Sequence, residues 1–219
     1  HFDLTPAMKG WAASSALVGC VLGVVLAGPL NDRLGRRTTL IVAAALFLIS
    51  AIGSAIPETL TEFIIYRIIG GLGVGAASMT SPIYIAEISP ARLRGRMVSL
   101  NQFAIIFGML VVYFVNYFIA RGSGEAWNVA TGWRWMFGSE SVPALLLLGF
   151  LFFVPESPRW LMKQGRVAEA RGILARIDGE AHAASEIREI KLALKEESGS
   201  LRQLFAPPLR ILLIIGVSL

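Results

Sequence analysis

The chain has 219 residues, of which 55% are hydrophobic and 16% charged, with a formal net charge of +5 and a mean hydropathy of +0.64. Such a composition excludes an intrinsically disordered chain, and a single cysteine, Cys20, excludes a disulfide scaffold. The excess of Lys and Arg would suggest a nucleic-acid face only if those residues clustered on one, so their positions matter more than their sum.

Opening at His1 without an initiator Met or signal-peptide pattern, and stopping inside the apolar run 211–219, the chain is expected to be a piece of a longer polypeptide. Five stretches approach the roughly 20 residues that a helix needs to cross about 30 Å of hydrocarbon. The first two, 10–30 and 38–57, carry no charge. The third, 62–86, carries Arg67 inside it; the fourth, 97–120, carries no charge; the fifth, 134–155, carries Glu140. Helices of that length that are apolar on every face cannot be wrapped by the polar surface left over, so a lipid bilayer is their expected solvent.

Within the first stretch Ala12, Ala16, Gly19, Gly23 and Ala27 step by three or four, a ridge of small residues that lets a neighbouring backbone come close. Between the first and second stretches stand Arg33, Arg36 and Arg37; between the third and fourth stand Arg92, Arg94 and Arg96. If the spans alternate, these six fall on one side together with the ten basic residues from Arg159 to Arg210, while the other side receives only Lys9, Arg121 and Arg134. Basic loops face the cytoplasm. Loops 31–37 and 87–96 and residues 156–206 are therefore expected there, and the positive charge records topology rather than a nucleic-acid surface.

The third stretch repeats the small-residue spacing at Gly71 and Gly75. Its run Gly71-Leu72-Gly73-Val74-Gly75-Ala76 also fits the G-x-G-x-x-A dinucleotide pattern. That pattern needs a strand before it and a turn within it, whereas here an uncharged run continues from Ile68 to Ala86. Two isolated histidines, His1 and His182, and one cysteine give neither a metal cluster nor a nucleophile dyad, so no enzyme, metal or cofactor is expected.

Arg67 lies five residues in from Glu62 and Glu140 six in from Arg134, both from the outer ends of their spans. At 1.5 Å per residue each sits roughly 8–9 Å deep. Matched depth and opposite sign predict a pair, either a static one that orders the bundle or a titratable one in a transport path. In the fourth stretch Gln102, Met109 and Asn116 are spaced by seven, with Tyr113 between them. The shared face suits a cavity for a hydroxyl-rich ligand, and amides in spans also serve as interhelical glue. From Pro155 to Pro207 the chain turns charged, with Val167, Ala170, Ile173, Leu174 and Ile177, then Ile187, Ile190 and Leu194, at helical spacing and Gly179 and Gly199 as punctuation. Short amphipathic helices are predicted, packed on cytoplasmic helix ends or lying on lipid, ahead of another span from about Leu209.

Four motifs in order carry a resemblance: Gly28-Pro29-Leu30-Asn31-Asp32-Arg33-Leu34-Gly35-Arg36-Arg37; Arg67-Ile68-Ile69-Gly70-Gly71-Leu72-Gly73-Val74-Gly75; Glu87 with Pro90 and Arg94-Gly95; and Pro155-Glu156-Ser157-Pro158-Arg159-Trp160-Leu161. Over nearly its whole length the chain resembles the sugar porters of the major facilitator superfamily. Asn101-Gln102-Phe103-Ala104-Ile105-Ile106-Phe107-Gly108 and Ser139-Glu140 are most similar to the xylose–proton branch. The resemblance implies an all-α membrane protein: residues 1–155 as spans two to six of a twelve-span transporter whose first span lies outside this chain, 156–206 as intracellular helices, and 207–219 as the start of span seven. It implies sugar and proton as partners, with the lipid bilayer and the rest of the same polypeptide, in a bacterial inner membrane. Arg67 and Glu140 take the proton-coupling positions and Gln102 a sugar-hydroxyl position, while Met109 stands where the xylose branch has a second glutamine.

By the same resemblance Arg36, Arg37 and Arg94 pair with Glu87 and Glu156, and with Asp32 and Arg159 form a cytoplasmic network that holds the inner side shut. Partly exposed pairs of about 0–1 kcal/mol would break and reform easily. Sugar–proton symport by alternating access follows, of a pentose such as xylose or of a hexose, with a facilitative uniporter and a non-transporting sugar receptor as the alternatives.

Overall fold

The computed structural model describes residues 5–90, 92–122 and 124–196, and every element in them is a helix. The expected span from about Leu209, Gly199 and the side chain of His182 lie outside the described residues. The chain divides into two compact units between Trp160 and Leu161.

In the first unit, α1 runs Pro6–Leu34, started by Thr5, whose hydroxyl accepts from the Met8 N–H, and by a proline in the first turn, where no N–H is needed. It ends at Gly35, whose φ of +92° turns the chain directly into α2, Arg36–Ala55. A capping box of Thr59 and Glu62 opens α3, Leu60–Ile88, and α4 spans Arg94–Arg121. These four are long and apolar enough to cross a membrane. The first, third and fourth contain their expected stretches and extend them at the polar ends, while α2 begins two residues before its stretch and stops at Ala55, two short of it; caps and loop arginines rather than hydropathy set the termini.

The fifth stretch departs from expectation. Helix begins at Glu125 rather than Arg134, as α5 (Glu125–Trp127), a π-helical turn at Asn128–Gly132, and α6 (Trp133–Ser139). It breaks at Glu140 and resumes as α7, Ser141–Leu151. Pro143 has no N–H to give to the Ser139 carbonyl four residues earlier, so the hydrogen-bond ladder is interrupted there. The Ser139 and Ser141 hydroxyls donate to the Met136 and Gly138 carbonyls beside the break.

Connections of a few residues make successive helices antiparallel. One end of the bundle gathers Gly35, Glu87 and the segment after Leu151; the other gathers Pro57, Phe63 and Trp133. α3 is the middle layer, packed on α1 on one side and α2 on the other. A Cβ at Gly71 or Gly75 would overlap the α1 carbonyls of Ala16 and Cys20; one at Gly19 or Gly23 would overlap those of Ile68 and Leu72 on α3. Gly73, between them, faces Ala43 and Leu46 of α2. The dinucleotide-like run is thus a double packing face inside a continuous helix. The buried stripe of α1 is Ala12, Ser15, Gly19, Gly23, Ala27 and Asn31; Ala16 is only partly covered. Without a water-driven hydrophobic effect between helices, this backbone proximity and the buried Asn31–Thr80 hydrogen bond, 3.0 Å, hold α1 to α3.

α8, Pro158–Lys163, follows the bundle. In the second unit, α9 (Val167–Asp178) and α10 (Glu180–Glu196) pack on each other, burying Ala170, Leu174 and Ala183. Gly179, at φ +86°, makes the turn between them. The exposed Arg166–Glu169 pair, 2.6 Å, opens α9, and this hydrogen bond from Arg166 holds the Glu169 carboxyl below its ordinary value.

Candidate functional site

Two groups of polar side chains stand out against the apolar bundle. At the Gly35 end, the first N–H groups of α2 have no partner within their own helix. Glu156 supplies one: its Oε1 accepts from the backbone N–H of Arg36 and of Arg37, both at 3.0 Å, and from Ser157 N–H at 2.8 Å. A carboxylate there also meets the positive end of the helix dipole. Gly35 lies directly beneath it, and a Cβ at that position would overlap the carboxylate.

Arg36 then turns to Glu87. Its Nη2 donates to Oε1 at 3.0 Å, its Nε lies 2.9 Å from Oε2, and its Nη1 donates to the Asn31 carbonyl. These two side chains are only 12% and 10% exposed. The pair is more enclosed than a surface ion pair of about 0–1 kcal/mol, so removing one partner leaves the other charge poorly solvated and costs more than that. Ser157 Oγ donates to Glu87 Oε2 at 2.5 Å, Trp160 Nε1 donates to the Asp32 carbonyl, and the exposed Asp32 carboxylate stands 4.0 Å from Arg36.

Among the described residues the Arg37 guanidinium pairs with carbonyls rather than with an acid. Its Nε and Nη2 donate to the Leu151 and Phe152 carbonyls, at 2.9 and 2.8 Å, and so cap the end of α7. The carbonyls at a helix C-terminus and the carboxylate at a helix N-terminus each attract the opposite sign, so Arg37 and Glu156 serve different helices. Arg94 is exposed at the start of α4, and Arg159 is half-buried in α8.

The second group lies within the bundle. A cavity of about 420 Å³ is lined from α1 by Ala16, from α2 by Phe47 and Ser50, from α3 by Arg67 and Gly70, and at the α6–α7 break by Glu140. Arg67 and Glu140 therefore line one cavity, but not as the pair that their matched depths predicted. They make no direct ion pair; the Arg67 guanidinium lies over the Phe137 ring, 5.5 Å from its centroid, one turn before Glu140. A ring face satisfies a guanidinium without fixing it to a carboxylate.

The fourth-stretch residues are not brought to this cavity. Gln102, Met109 and Tyr113 are exposed on α4, of which no residue is buried, and Asn116 is half-buried. The link from α4 to α3 is instead Ser81 Oγ donating to Asn101 at 3.1 Å. Sequence reasoning passed over Ser50 and gave no separate role to Ser157 and Trp160, named only within a motif, or to Arg134, named only as a loop charge. Arg134 donates to the Ala55 and Pro57 carbonyls, each at 3.0 Å, and closes the end of α2. Its place at the edge of an apolar run was a signal for such a cap; Ser50 stood out as a polar residue in an uncharged run.

Long apolar helices packed through glycine, with charges kept to their ends and to one cavity, are those of a polytopic membrane protein. The family model for sugar (and other) transporters matches residues 4–219, and the chain belongs to that family. It is 51% identical over 205 residues to the D-xylose-proton symporter of Escherichia coli K12, covering 85% of this chain and 42% of that protein. It is 47% identical over 219 residues to the arabinose-proton symporter of Bacillus subtilis, covering 100% of this chain and 47% of that one. Among solved structures, the proton:xylose symporter of the major facilitator superfamily bound to 6-bromo-6-deoxy-D-glucose is similar, with a TM-score of 0.88 and 49% identity over 92% of this chain and 47% of that one. The chain thus spans about half the length of the curated relatives it matches.

Proposed function

We propose that this chain is the amino-terminal part of a sugar–proton symporter that works by alternating access. The observation that carries the reading is the cavity in which Arg67 and Glu140 face the same space without closing on each other. A carboxylate there can gain or lose a proton without breaking an ion pair, and the nearby guanidinium makes its charge state matter to the packing around it. The names of the relatives, D-xylose-proton and arabinose-proton symporters, support this choice. In this reading residues 1–155 are spans two to six, 156–206 are intracellular helices and 207–219 begin span seven, in a bacterial inner membrane.

The sugar, a pentose such as xylose or a hexose, meets Gln102 and Met109 on the exposed face of α4. One amide at Gln102 gives a donor and an acceptor to a hydroxyl, while Met109 offers an apolar surface. Asp32, Arg36, Arg37, Glu87, Arg94, Glu156 and Arg159 form the cytoplasmic latch. Buried carboxylates held by helix N–H groups and an arginine make that end a discrete closed state, released when the helices separate.

In cells or proteoliposomes carrying the full-length transporter, Glu140→Gln should abolish uphill sugar accumulation while sugar exchange persists; accumulation equal to wild type would remove Glu140 from coupling. A facilitative uniporter is the alternative reading; the Synechocystis relative, 47% identical, is named a glucose transport protein, a name that fits either reading. The two differ in one measurement: symport makes the external medium more alkaline when sugar is added, and facilitated diffusion does not.

A further inference from the structure

The wall shared by Arg67 and Glu140 holds a third polar group. Ser50 of α2 lines the same cavity. Ser14, Ser15, Thr39, Ser139 and Ser141 each return their hydroxyl to a carbonyl three or four residues back. That is the usual resort of a helical hydroxyl in apolar surroundings. Ser50 makes no such bond, and neither does Ser54 one turn on, whose Oγ is buried without a partner among the described residues; what sets Ser50 apart is that it lines the cavity. Its Oγ instead occupies the space over Gly70, where a Cβ would overlap it and stand 3.0 Å from its Cβ. Gly70 is one turn beyond Arg67 and lines the cavity too.

The remaining surroundings leave Ser50 few polar neighbours. The charged groups lining the cavity are Arg67 from α3 and Glu140 from the α6–α7 break; α1 brings Ala16, and α2 brings Phe47 besides Ser50 itself. Of the other titratable groups on the helices around it, Tyr66 of α3 packs on Gly53, and Cys20 of α1 meets Gly71 and Gly75 through its backbone. With about 420 Å³ of space the cavity has room for several waters. A hydroxyl donates and accepts at once, so it can take a hydrogen bond from water held by Arg67 and give one toward the Glu140 carboxylate.

The geometry points to Ser50 as a positioning residue of the proton site: its hydroxyl, made possible by glycine at position 70, orders the hydrogen bonds between Arg67 and Glu140 through cavity water. The inference rests on the symport reading above, so its test runs beside Glu140→Gln. Sugar uptake driven by a proton gradient is measured against external pH in the full-length transporter, with sugar exchange at a fixed pH as the control. In Ser50→Ala the alkaline limb of the uptake profile should move about one pH unit upward, the displacement expected when an ionised group loses one hydrogen bond. Exchange should stay within twofold of wild type, and Ser50→Thr, which keeps the hydroxyl, should restore the profile. Gly70→Ala should reproduce the displacement, and combining it with Ser50→Ala should add nothing. If Glu140→Gln abolishes accumulation while Ser50→Ala leaves the pH profile in place, the role of Ser50 is overturned and the symport reading stands. If Glu140→Gln accumulates sugar normally, both are overturned.

Discussion

Gly35 joins three requirements in one residue: a φ of +92°, a turn between two long helices with no spare residues, and contact with the Glu156 carboxylate. An alanine there takes the strain of a backbone region open essentially to glycine, about 1–3 kcal/mol, and displaces the acid that caps α2. Gly35→Ala should therefore lower the thermal unfolding temperature of the purified transporter in detergent. Glu156→Gln, which retains an acceptor for the Arg36 and Arg37 N–H groups, should lower it less than Glu156→Ala. The glycine and the acid were both legible as motif residues, but their contact was not, because 121 positions of sequence separate them and no local pattern records it. At Glu169 the sign of the pH effect is set by Arg166. A depressed folded value lends stability above the unfolded one and loses it as pH falls through the folded one. Arg166→Ala should return the Glu169 carboxyl to ordinary titration, read by carbon-13 NMR of labelled glutamate in the full chain.

Helices α1, α2 and α3 are held together by which glycine faces which backbone. Gly71→Ala sets a methyl group against the Ala16 carbonyl of α1, and rigid helical backbone cannot yield as a side-chain tip does. Overpacking of this kind costs about 1–3 kcal/mol, and the variant should melt several degrees early. Gly149 of α7 has nothing within 4 Å of a Cβ, so Gly149→Ala should leave the melting temperature unchanged or raise it, since a helical glycine costs about 0.5–1 kcal/mol relative to alanine. Equal losses at both positions would contradict the assigned packing faces. The alternation of spans and the small-residue ridge were readable from spacing alone. The break at Glu140 was signalled by Pro143, yet hydropathy averages over such a residue and returned one unbroken stretch from 134 to 155.

Across the whole molecule, the charged end and the lipid-facing sides are complementary statements about solvent. Leu17, Val21 and Val25 of α1 are each about two-thirds exposed, as helix faces in contact with acyl chains must be. The proposed orientation puts Arg94 on the inside. A membrane-impermeant maleimide should label Arg94→Cys, in an otherwise cysteine-free full-length chain, only after cells are permeabilised; labelling of intact cells would invert the topology. Loss of the buried Arg36–Glu87 contact should act on the conformational equilibrium rather than on one step of chemistry. Glu87→Gln is expected to raise the reactivity toward thiol reagents of a cysteine introduced at the Gly35 end, as in Arg33→Cys, and to weaken accumulation without removing sugar exchange.

The sequence by itself determined the solvent, the helical class, the first four apolar elements to within a few residues, and the family, because hydropathy and motif order are carried by residues close together along the chain. Only the tertiary structure decided that Glu156 caps α2 while Arg37 caps α7, that Arg67 and Glu140 share a cavity without touching, and that Ser50 joins them there. Those outcomes depend on which helix faces meet, and that choice is made by backbone proximity between segments far apart in sequence, where the period of a single helix says nothing about its neighbour.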